Sequence, residues 1–220
     1  MVKRKIILCS ESQGLAQSQI KPPEKYSIDG EAVMGLLKNN IAALRDELVE
    51  MEAVGFNGKD QFMEKAPSFV KNKFAEFRHR SQEFEIFVIA LRDADTSDGK
   101  KISGIRRKLN EKVKKLIGEQ EFQRMHVTFA VQAIEAWLLA DEKKLNEYLG
   151  FTNKVKRENE PEKIEKPKVV VQNLFEQCGR KYNPQELLRL LPQLRLAELL
   201  RCKYFKEFYN CVQTIAGTLR

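Results

Sequence analysis

The sequence has few histidines and cysteines and no long apolar segment. It contains two histidines and four cysteines among 220 residues, and no two cysteines form a Cys-x-x-Cys pair. Clustered thiolates and imidazoles hold structural zinc, so neither a zinc site nor a disulfide framework is predicted. No stretch is long and apolar enough to predict a membrane span or a signal peptide. We therefore expect a soluble, cytoplasmic protein with reduced thiols and no membrane partner.

Three common catalytic motifs are also missing. The sequence contains no Gly-x-Ser-x-Gly, no Walker A and no Gly-x-Gly-x-x-Gly element. It therefore gives no support to a serine hydrolase, a P-loop nucleotidase or a Rossmann dinucleotide enzyme. Hydrophobic residues make up 42% of the chain, enough for a buried core, and the formal net charge of +8 favours an anionic partner.

Short apolar segments alternate with helical patterns along the first two thirds of the chain. Residues 5–9, 84–91 and 126–130 are apolar and rich in β-branched or aromatic residues, which is typical of buried strands. Apolar spacings of three and four predict helices over residues 29–55, 69–80, 100–117, 132–140 and 141–148, the first of them with Asp29 as its N-cap. This alternation predicts an α/β fold with a mostly parallel sheet flanked by helices.

The last third has a different composition. Residues 154–168 are charged and punctuated by proline, and several short helices are predicted after them, with Pro167 and Pro184 at helix starts. We expect an α/β domain over residues 1–153, a charged connector over 154–168, and a small helical C-terminal extension over 169–220 that packs on the core.

Two aspartates follow the predicted central strand. Asp93 and Asp95 stand two residues apart where a parallel strand ends, the edge at which open α/β sheets bind ligands. Carboxylates at this spacing are suitable ligands for Mg²⁺ or Mn²⁺, and Asp98 could add a third ligand or cap the next helix. The alternative is an ordinary aspartate-rich turn.

A glutamate lies on an apolar helical stripe after the last predicted strand. Val131, Ile134, Glu135 and Leu138 recur at helical spacing, so the Glu135 carboxylate is expected on or beside a buried face. A charge there requires a cation, a hydroxyl donor or a shifted pKa. The alternative is a residue at the rim of the core, paired with a lysine.

Most of the positive charge lies on one predicted helix. Residues 100–115 contain eight basic side chains and one acidic side chain, Glu111. A basic face that directly follows a metal-binding loop is expected when the substrate is a polyanion. The candidate nucleic-acid contacts are Lys100, Lys101, Arg106, Arg107 and Lys108, together with Lys168 of the connector. The alternative is a solvated helix face.

Three segments carry a family resemblance: Val88-Ile-Ala-Leu-Arg-Asp-Ala-Asp95, Ala133-Ile-Glu-Ala-Trp-Leu-Leu-Ala-Asp141 and the Pro167-Lys168 step. Together they resemble the domain-of-unknown-function 4276 family, which is similar to the Toprim-like superfamily. The resemblance implies a Toprim-like core in which an Asp-x-Asp pair binds Mg²⁺ and a glutamate after the first strand acts as general acid or base. Asp93 and Asp95 would then bind the metal, and Glu11 would be the acid–base group.

The resemblance implies a nuclease with Mg²⁺-dependent phosphodiester chemistry, in a phage-defence context, with Glu135 as a further acid–base or supporting group. The first strand departs from the Toprim pattern, because Cys9-Ser10-Glu11-Ser12 stands where Glu-Gly and a second acid are usual. The alternative hypothesis is therefore a non-catalytic subunit that keeps the fold and binds nucleic acid or an ATPase partner.

Overall fold

The computed structural model describes residues 2–12 and 27–217. Its centre is a four-stranded, all-parallel sheet with the strand order β2-β1-β3-β4. The strands are β1 (Lys3–Ser12), β2 (Val49–Asn57), β3 (Phe84–Asp93) and β4 (Met125–Ala130). With helices on both faces of the sheet, this is the predicted α/β fold with a helical C-terminal extension.

Ten α-helices are present in the described residues. They are α1 (Ile28–Asn40), α2 (Gly58–Arg78), α3 (Gly99–Ile117), α4 (Glu119–Phe122), α5 (Glu135–Ala140), α6 (Glu142–Leu149), α7 (Pro167–Glu176), α8 (Pro184–Leu190), α9 (Leu196–Leu199) and α10 (Lys203–Gly217). Three 3₁₀ turns connect them, at Ala42–Arg45, Pro161–Lys163 and Leu191–Gln193. Within residues 2–12 and 27–217, no helix has both the length and the apolar character needed to cross a membrane.

Side chains of the sheet alternate between two hydrophobic cores. Ile6 and Leu8 of β1 pack against α1 and the helices that follow β4, whereas Ile7 and Cys9 pack against α2 and α3. All four side chains are fully buried, as expected for a parallel strand covered on both faces. The four cysteines are free thiols.

Helix α1 lies close against the carboxyl half of β1. Its N-cap is Ser27, whose Oγ accepts a hydrogen bond from the Gly30 amide at 3.0 Å and lies 2.6 Å from Ser10 Oγ. A Cβ atom on Gly30 would stand 2.8 Å from the Ala53 Cβ, so this close approach requires glycine. The sequence predicted Asp29 as the N-cap, which is wrong: Asp29 lies inside the first turn.

Strand β2 was not predicted, because the apolar pattern indicated one helix from residue 29 to near Gly55. The helix ends at Asn40, and β2 forms an edge of the sheet. Its half-exposed glutamates bind Lys5 of β1, with Lys5 Nζ 3.6 Å from Glu50 and 3.3 Å from Glu52. The apolar residues keep a helical spacing through the 3₁₀ turn at Ala42–Arg45, because Ile41 and Leu44 are both buried in the core. The sequence pattern therefore did not show where the helix ends.

The helix predicted over residues 132–140 begins only at Glu135. Gln132 has φ of 62°, a left-handed conformation that interrupts a helix. The preceding residues instead continue the pairing of β3 with β4, since the Asp95 amide donates to Gln132 O at 3.1 Å. Val131 therefore packs in the core beside α2 and α3, and does not share a helical stripe with Glu135.

The connector and the C-terminal extension are fastened to the α/β body. The side chain of Asn146 exchanges two hydrogen bonds with the Val155 backbone, at 2.9 and 2.8 Å. Glu162 accepts a hydrogen bond from the Tyr204 amide at 2.9 Å, in the first turn of α10. Trp137 packs between Phe205 and Phe208, with ring centroids 5.0 and 6.0 Å apart. The extension thus completes one of the two cores.

Candidate functional site

The carboxyl ends of β1 and β3 place charged residues on both faces of the sheet. Ser10 is in register with Leu91, so Glu11 and Arg92 are neighbours on the α2–α3 face. Because successive side chains of a strand alternate, Asp93 projects to the opposite face, toward α1 and α5. At this edge, one face of the sheet therefore carries the Glu11–Arg92 ion pair and the other carries the Asp93 carboxylate.

Asp93 and Glu135 lie together with Asp29 in a largely buried group, which we call the acidic cluster. The Asp93 carboxylate accepts a hydrogen bond from the Ile134 amide at 3.1 Å, directly beside the start of α5. Glu135 is the next residue, and only 2% of it is exposed. Asp29, in the first turn of α1, is also buried and contributes to the electrostatics of the group.

Glu135 has one hydrogen-bonded and one unpartnered carboxylate oxygen. The Tyr182 hydroxyl donates to its Oε1 at 3.3 Å, whereas Oε2 is buried without a hydrogen-bond partner among the described residues. Lys168, at the start of α7, is close enough to lower the Glu135 pKa. Glu135 is thus a core residue rather than a rim residue, and Lys168 lies beside it.

Two carboxyls of the acidic cluster, Asp93 and Glu135, have raised pKa values. Burial raises the pKa of Asp93 well above its usual range, and the charges of Glu135 and Asp29 raise it further. Burial also raises the Glu135 pKa, although a hydrogen bond from its own backbone amide, the Lys168 charge and the Tyr182 hydrogen bond oppose that shift. A buried group of this kind either holds a proton or needs a cation nearby.

Asp95 and Glu11 are engaged by basic side chains. The Asp95 side chain is 59% exposed, and its Oδ2 lies 3.9 Å from Lys59 Nζ. Glu11 Oε2 lies 3.6 Å from Arg92 Nε, and the Glu11 pKa is raised by burial although Arg92 lowers it. Asp98 caps α3 by accepting from the Lys100 amide at 2.8 Å. Of the four predicted acidic residues, the structure brings Asp93 and Glu135 together.

The donor set is suited to a cation held by few protein ligands. Within residues 2–12 and 27–217, no three His, Cys, Asp or Glu side chains are arranged to hold a metal ion. Mg²⁺ commonly takes only one or two carboxylates and completes its coordination with water and substrate phosphates. Asp93 and Glu135 supply the two carboxylates that this mode of binding uses, whereas a cage of protein ligands does not fit.

Helix α3 presents most of its basic residues to solvent. It packs on the sheet through Ile102, Leu109 and Val113, and its first turn begins at the carboxyl edge of β3. Arg106 differs from the others, because it lies 3.2 Å from Glu207 and its guanidinium covers the Phe129 ring at 5.4 Å. The other predicted contacts on this helix are exposed: Lys100, Lys101, Arg107 and Lys108.

Sequence reasoning missed two residues of the site, Asp29 of the acidic cluster and Tyr182, which donates to Glu135. Asp29 was interpreted only as a helix cap, and its burial depends on the approach of α1 to β1. Tyr182 lies in the C-terminal extension, 47 residues after Glu135. The sequence around Tyr182 does not indicate a contact with Glu135, because that contact depends on how the C-terminal extension packs.

A family model described as "Domain of unknown function (DUF4276)" matches residues 31–213. The matched range contains Asp93, Glu135, Tyr182 and the whole of α3, and it begins after Glu11. No curated protein and no solved structure is significantly similar to the chain.

Proposed function

We propose that this chain, which belongs to the DUF4276 family, is a Toprim-like nuclease. The description of the family names no activity, so the proposal is argued from the residues of the site. The protein would cleave phosphodiester bonds of nucleic acid with Mg²⁺ or Mn²⁺, in the cytoplasm, and serve in phage defence. The order of acidic groups along the chain supports the proposal: Glu11 is the last residue but one of β1, and the Asp-x-Asp pair begins at Asp93, the last residue of β3.

The observation that carries the proposal is the buried pair of carboxyls, Asp93 and Glu135. Burial raises the pKa of both carboxyls, and one oxygen of Glu135 has no hydrogen-bond partner among the described residues. Buried, perturbed carboxyls at the ligand-binding edge of an α/β sheet are typical of functional sites. A divalent cation would remove the electrostatic cost of ionising both groups.

Each residue has a distinct role in this proposal. Asp93 and Glu135 supply the oxygens that hold the cation, and Asp95 can reach the same edge when it leaves Lys59. Glu11 is the general acid or base that the Toprim pattern implies; it lies on the α2–α3 face, and its charge acts on Asp93 across the ends of β1 and β3. A Mg²⁺ ion held by these carboxylates would polarise the scissile phosphate and offset the negative charge that develops there.

The substrate is engaged through its phosphates. The exposed basic residues of α3 lie beside the carboxyl edge of the sheet and are well placed for a polyanionic backbone. The charge of Lys168, at the start of α7, lowers the Glu135 pKa, so in this proposal Lys168 supports the acidic cluster as well as contacting nucleic acid. This arrangement favours positioning of the backbone over recognition of base sequence.

A second candidate is a non-catalytic subunit that binds nucleic acid or an ATPase partner. Two contacts favour it, because Arg92 engages Glu11 and Lys59 engages Asp95. In that case the acidic cluster keeps a proton, and only α3 is functional.

A cleavage assay separates the two candidates. Labelled DNA and RNA, single- and double-stranded, are incubated with the wild type and with Asp93→Asn and Glu135→Gln in Mg²⁺, Mn²⁺ or EDTA. We expect metal-dependent cleavage by the wild type and a loss of about 100-fold or more in both variants, the size of effect that metal-ion catalysis supplies.

The matched control is Asp98→Ser, which removes an acid from the same loop but keeps an N-cap side chain for α3. It should cleave like the wild type. Undiminished cleavage by Asp93→Asn would contradict the assignment, and nucleic-acid binding without any cleavage would favour the non-catalytic subunit.

A further inference from the structure

A groove runs between α3 and α4 on the outer side of the α2–α3 face. Its volume is about 330 Å³, and it is lined by Arg107, Asn110 and Lys114 from α3 and by Phe122 from α4. The three α3 residues stand at i, i+3 and i+7, so they share one side of the helix. Arg107 and Lys114 are two turns apart, about 10 Å along the axis.

Phe122 gives this basic groove an aromatic wall. The ring is partly buried against the core of the α2–α3 face, and Lys114 Nζ lies 5.8 Å from its centroid. Arg107 is well exposed, with 76% of its side chain accessible. An aromatic ring flanked by exposed cations is how proteins hold unpaired bases, with the base on the ring and the phosphates on the cations.

We propose that the α3–α4 groove binds an unpaired nucleotide of single-stranded nucleic acid, with its base stacked on Phe122 and its flanking phosphates on Arg107 and Lys114. The proposal rests on the proposed function, since it names the strandedness of the polyanion that α3 engages. The Asn110 amide carries both a donor and an acceptor, so it can pair with the edge of any stacked base.

A duplex does not fit the same groove. Both faces of a base within a duplex are covered by its stacked neighbours, so its ring cannot lie on Phe122 without being pulled out of the stack. Two acids face these cations, with Glu111 3.9 Å from Arg107 and Glu119 2.5 Å from Lys114. Both are surface ion pairs, which are weak and open readily for a phosphate.

The test is fluorescence anisotropy in EDTA with three labelled probes of one mixed sequence: a 20-nucleotide DNA strand, the equivalent RNA strand and the DNA duplex. We expect the single strands to bind more tightly than the duplex. Phe122→Leu keeps the apolar contact but removes the ring, and should weaken single-strand binding about 5-fold or more while leaving duplex binding unchanged.

The matched control is Phe151→Leu, because Phe151 is also a partly buried ring with a lysine above it, Lys154 at 4.6 Å. It should bind every probe like the wild type. Arg107→Gln and Lys114→Gln should each reduce the salt dependence of single-strand binding, by about 0.7 in the logarithmic slope, whereas Phe122→Leu should not change that slope.

The outcomes separate this proposal from the one it rests on. If the protein binds single strands and duplex equally, or if Phe122→Leu binds like the wild type, the groove proposal is wrong while nucleic-acid binding stands. If no probe binds, both proposals fail. If only the DNA strand or only the RNA strand binds, the groove proposal holds, and the result shows whether the groove prefers deoxyribose or ribose.

Discussion

The Tyr182 hydroxyl donates a hydrogen bond to Glu135 Oε1 across 3.3 Å, and it thereby ties the C-terminal extension to the acidic cluster. Its ring packs against Phe175 of α7, with the ring centroids 5.2 Å apart. Burial and the charge of Glu135 both raise the Tyr182 pKa, so the hydroxyl stays protonated and remains a donor. The extension is therefore part of the site as well as part of the core.

Loss of this donor should cost stability. Tyr182→Phe keeps the ring and leaves Glu135 Oε1 buried without its hydroxyl partner, so we expect the free energy of unfolding to fall by about 1–3 kcal/mol. Urea denaturation at neutral pH measures the change. Tyr209→Phe is the control, because the Tyr209 hydroxyl donates to the neutral Asn40 carbonyl at the same 3.3 Å. A loss in Tyr182→Phe no larger than in Tyr209→Phe would argue against a special role for the Glu135 contact.

The acidic cluster should make the metal-free protein less stable as pH rises. Folding raises the Asp93 pKa above its ordinary value of 3.8, so the folded state binds this proton more tightly than the unfolded state. The favourable contribution is complete below the unfolded-state pKa and is lost as pH rises through the folded-state pKa. Each unit of difference corresponds to about 1.4 kcal/mol.

Asp93→Asn tests this directly, because the amide keeps an acceptor for the Ile134 amide but cannot ionise. In EDTA at pH 8 we expect the variant to be more stable than the wild type, with the difference shrinking toward pH 4. Chemical denaturation across this pH range measures it. A variant that is less stable than the wild type at pH 8 would mean that the Asp93 charge is already compensated in the metal-free protein.

Asp141 should behave in the opposite way. It is fully buried and accepts hydrogen bonds from the Arg195 amide at 2.8 Å, from Arg195 Nε at 3.0 Å and from the Lys144 amide at 3.1 Å. Burial raises its pKa, but these hydrogen bonds outweigh burial and leave the pKa below its ordinary value. Asp141 therefore stabilises the fold above pH 4, and this contribution is lost as pH falls through the folded-state pKa.

Asp141→Asn should lower the free energy of unfolding by about 3 kcal/mol at pH 7, near the lower limit for breaking a buried pair, because Arg195 is partly exposed. Denaturation at pH 7 and pH 3 measures the change, which should be smaller at the acidic pH. Equal losses at both pH values would mean that the charge of Asp141 contributes nothing.

Charge reversal on α3 should weaken nucleic-acid binding. Arg107→Glu combined with Lys108→Glu removes two exposed cations, so we expect weaker binding to any sequence and a shallower dependence on salt, by about one unit of slope per lost contact. Titrations at several salt concentrations measure both effects. Lys38→Glu combined with Lys206→Glu changes the net charge equally at exposed positions outside α3. If the two double variants lose the same affinity, α3 is only a solvated face.

Local patterns predicted three of the four strands but missed the edge strand β2. The continuous apolar run of β3 and the apolar spacing of α3 are strong signals, and they placed Asp93 and the basic helix at the correct strand end. Strand β2 was missed because an edge strand with alternating glutamates follows a turn whose apolar residues continue the helical spacing. Its identity depends on pairing with β1, which no local window contains.

The partners of the candidate site were harder to predict than its carboxylates. Glu135 was identified from its position on an apolar stripe, although the stripe itself begins later than predicted. Its contact with Tyr182 and the nearness of Lys168 depend on how α7 and the segment before α8 pack over α5. The opposite orientations of Glu11 and Asp93 follow from the register of β1 with β3, which the sequence does not specify.

The most direct test of the central claim is calorimetric titration of Mg²⁺ into the metal-free wild type and into Asp93→Asn, Glu135→Gln and Asp98→Ser at pH 8. If Asp93 and Glu135 form the cation site, the wild type and Asp98→Ser bind Mg²⁺ saturably, and Asp93→Asn and Glu135→Gln bind it at least 10-fold more weakly. Absence of binding by the wild type, or equal binding by all four proteins, would contradict the claim.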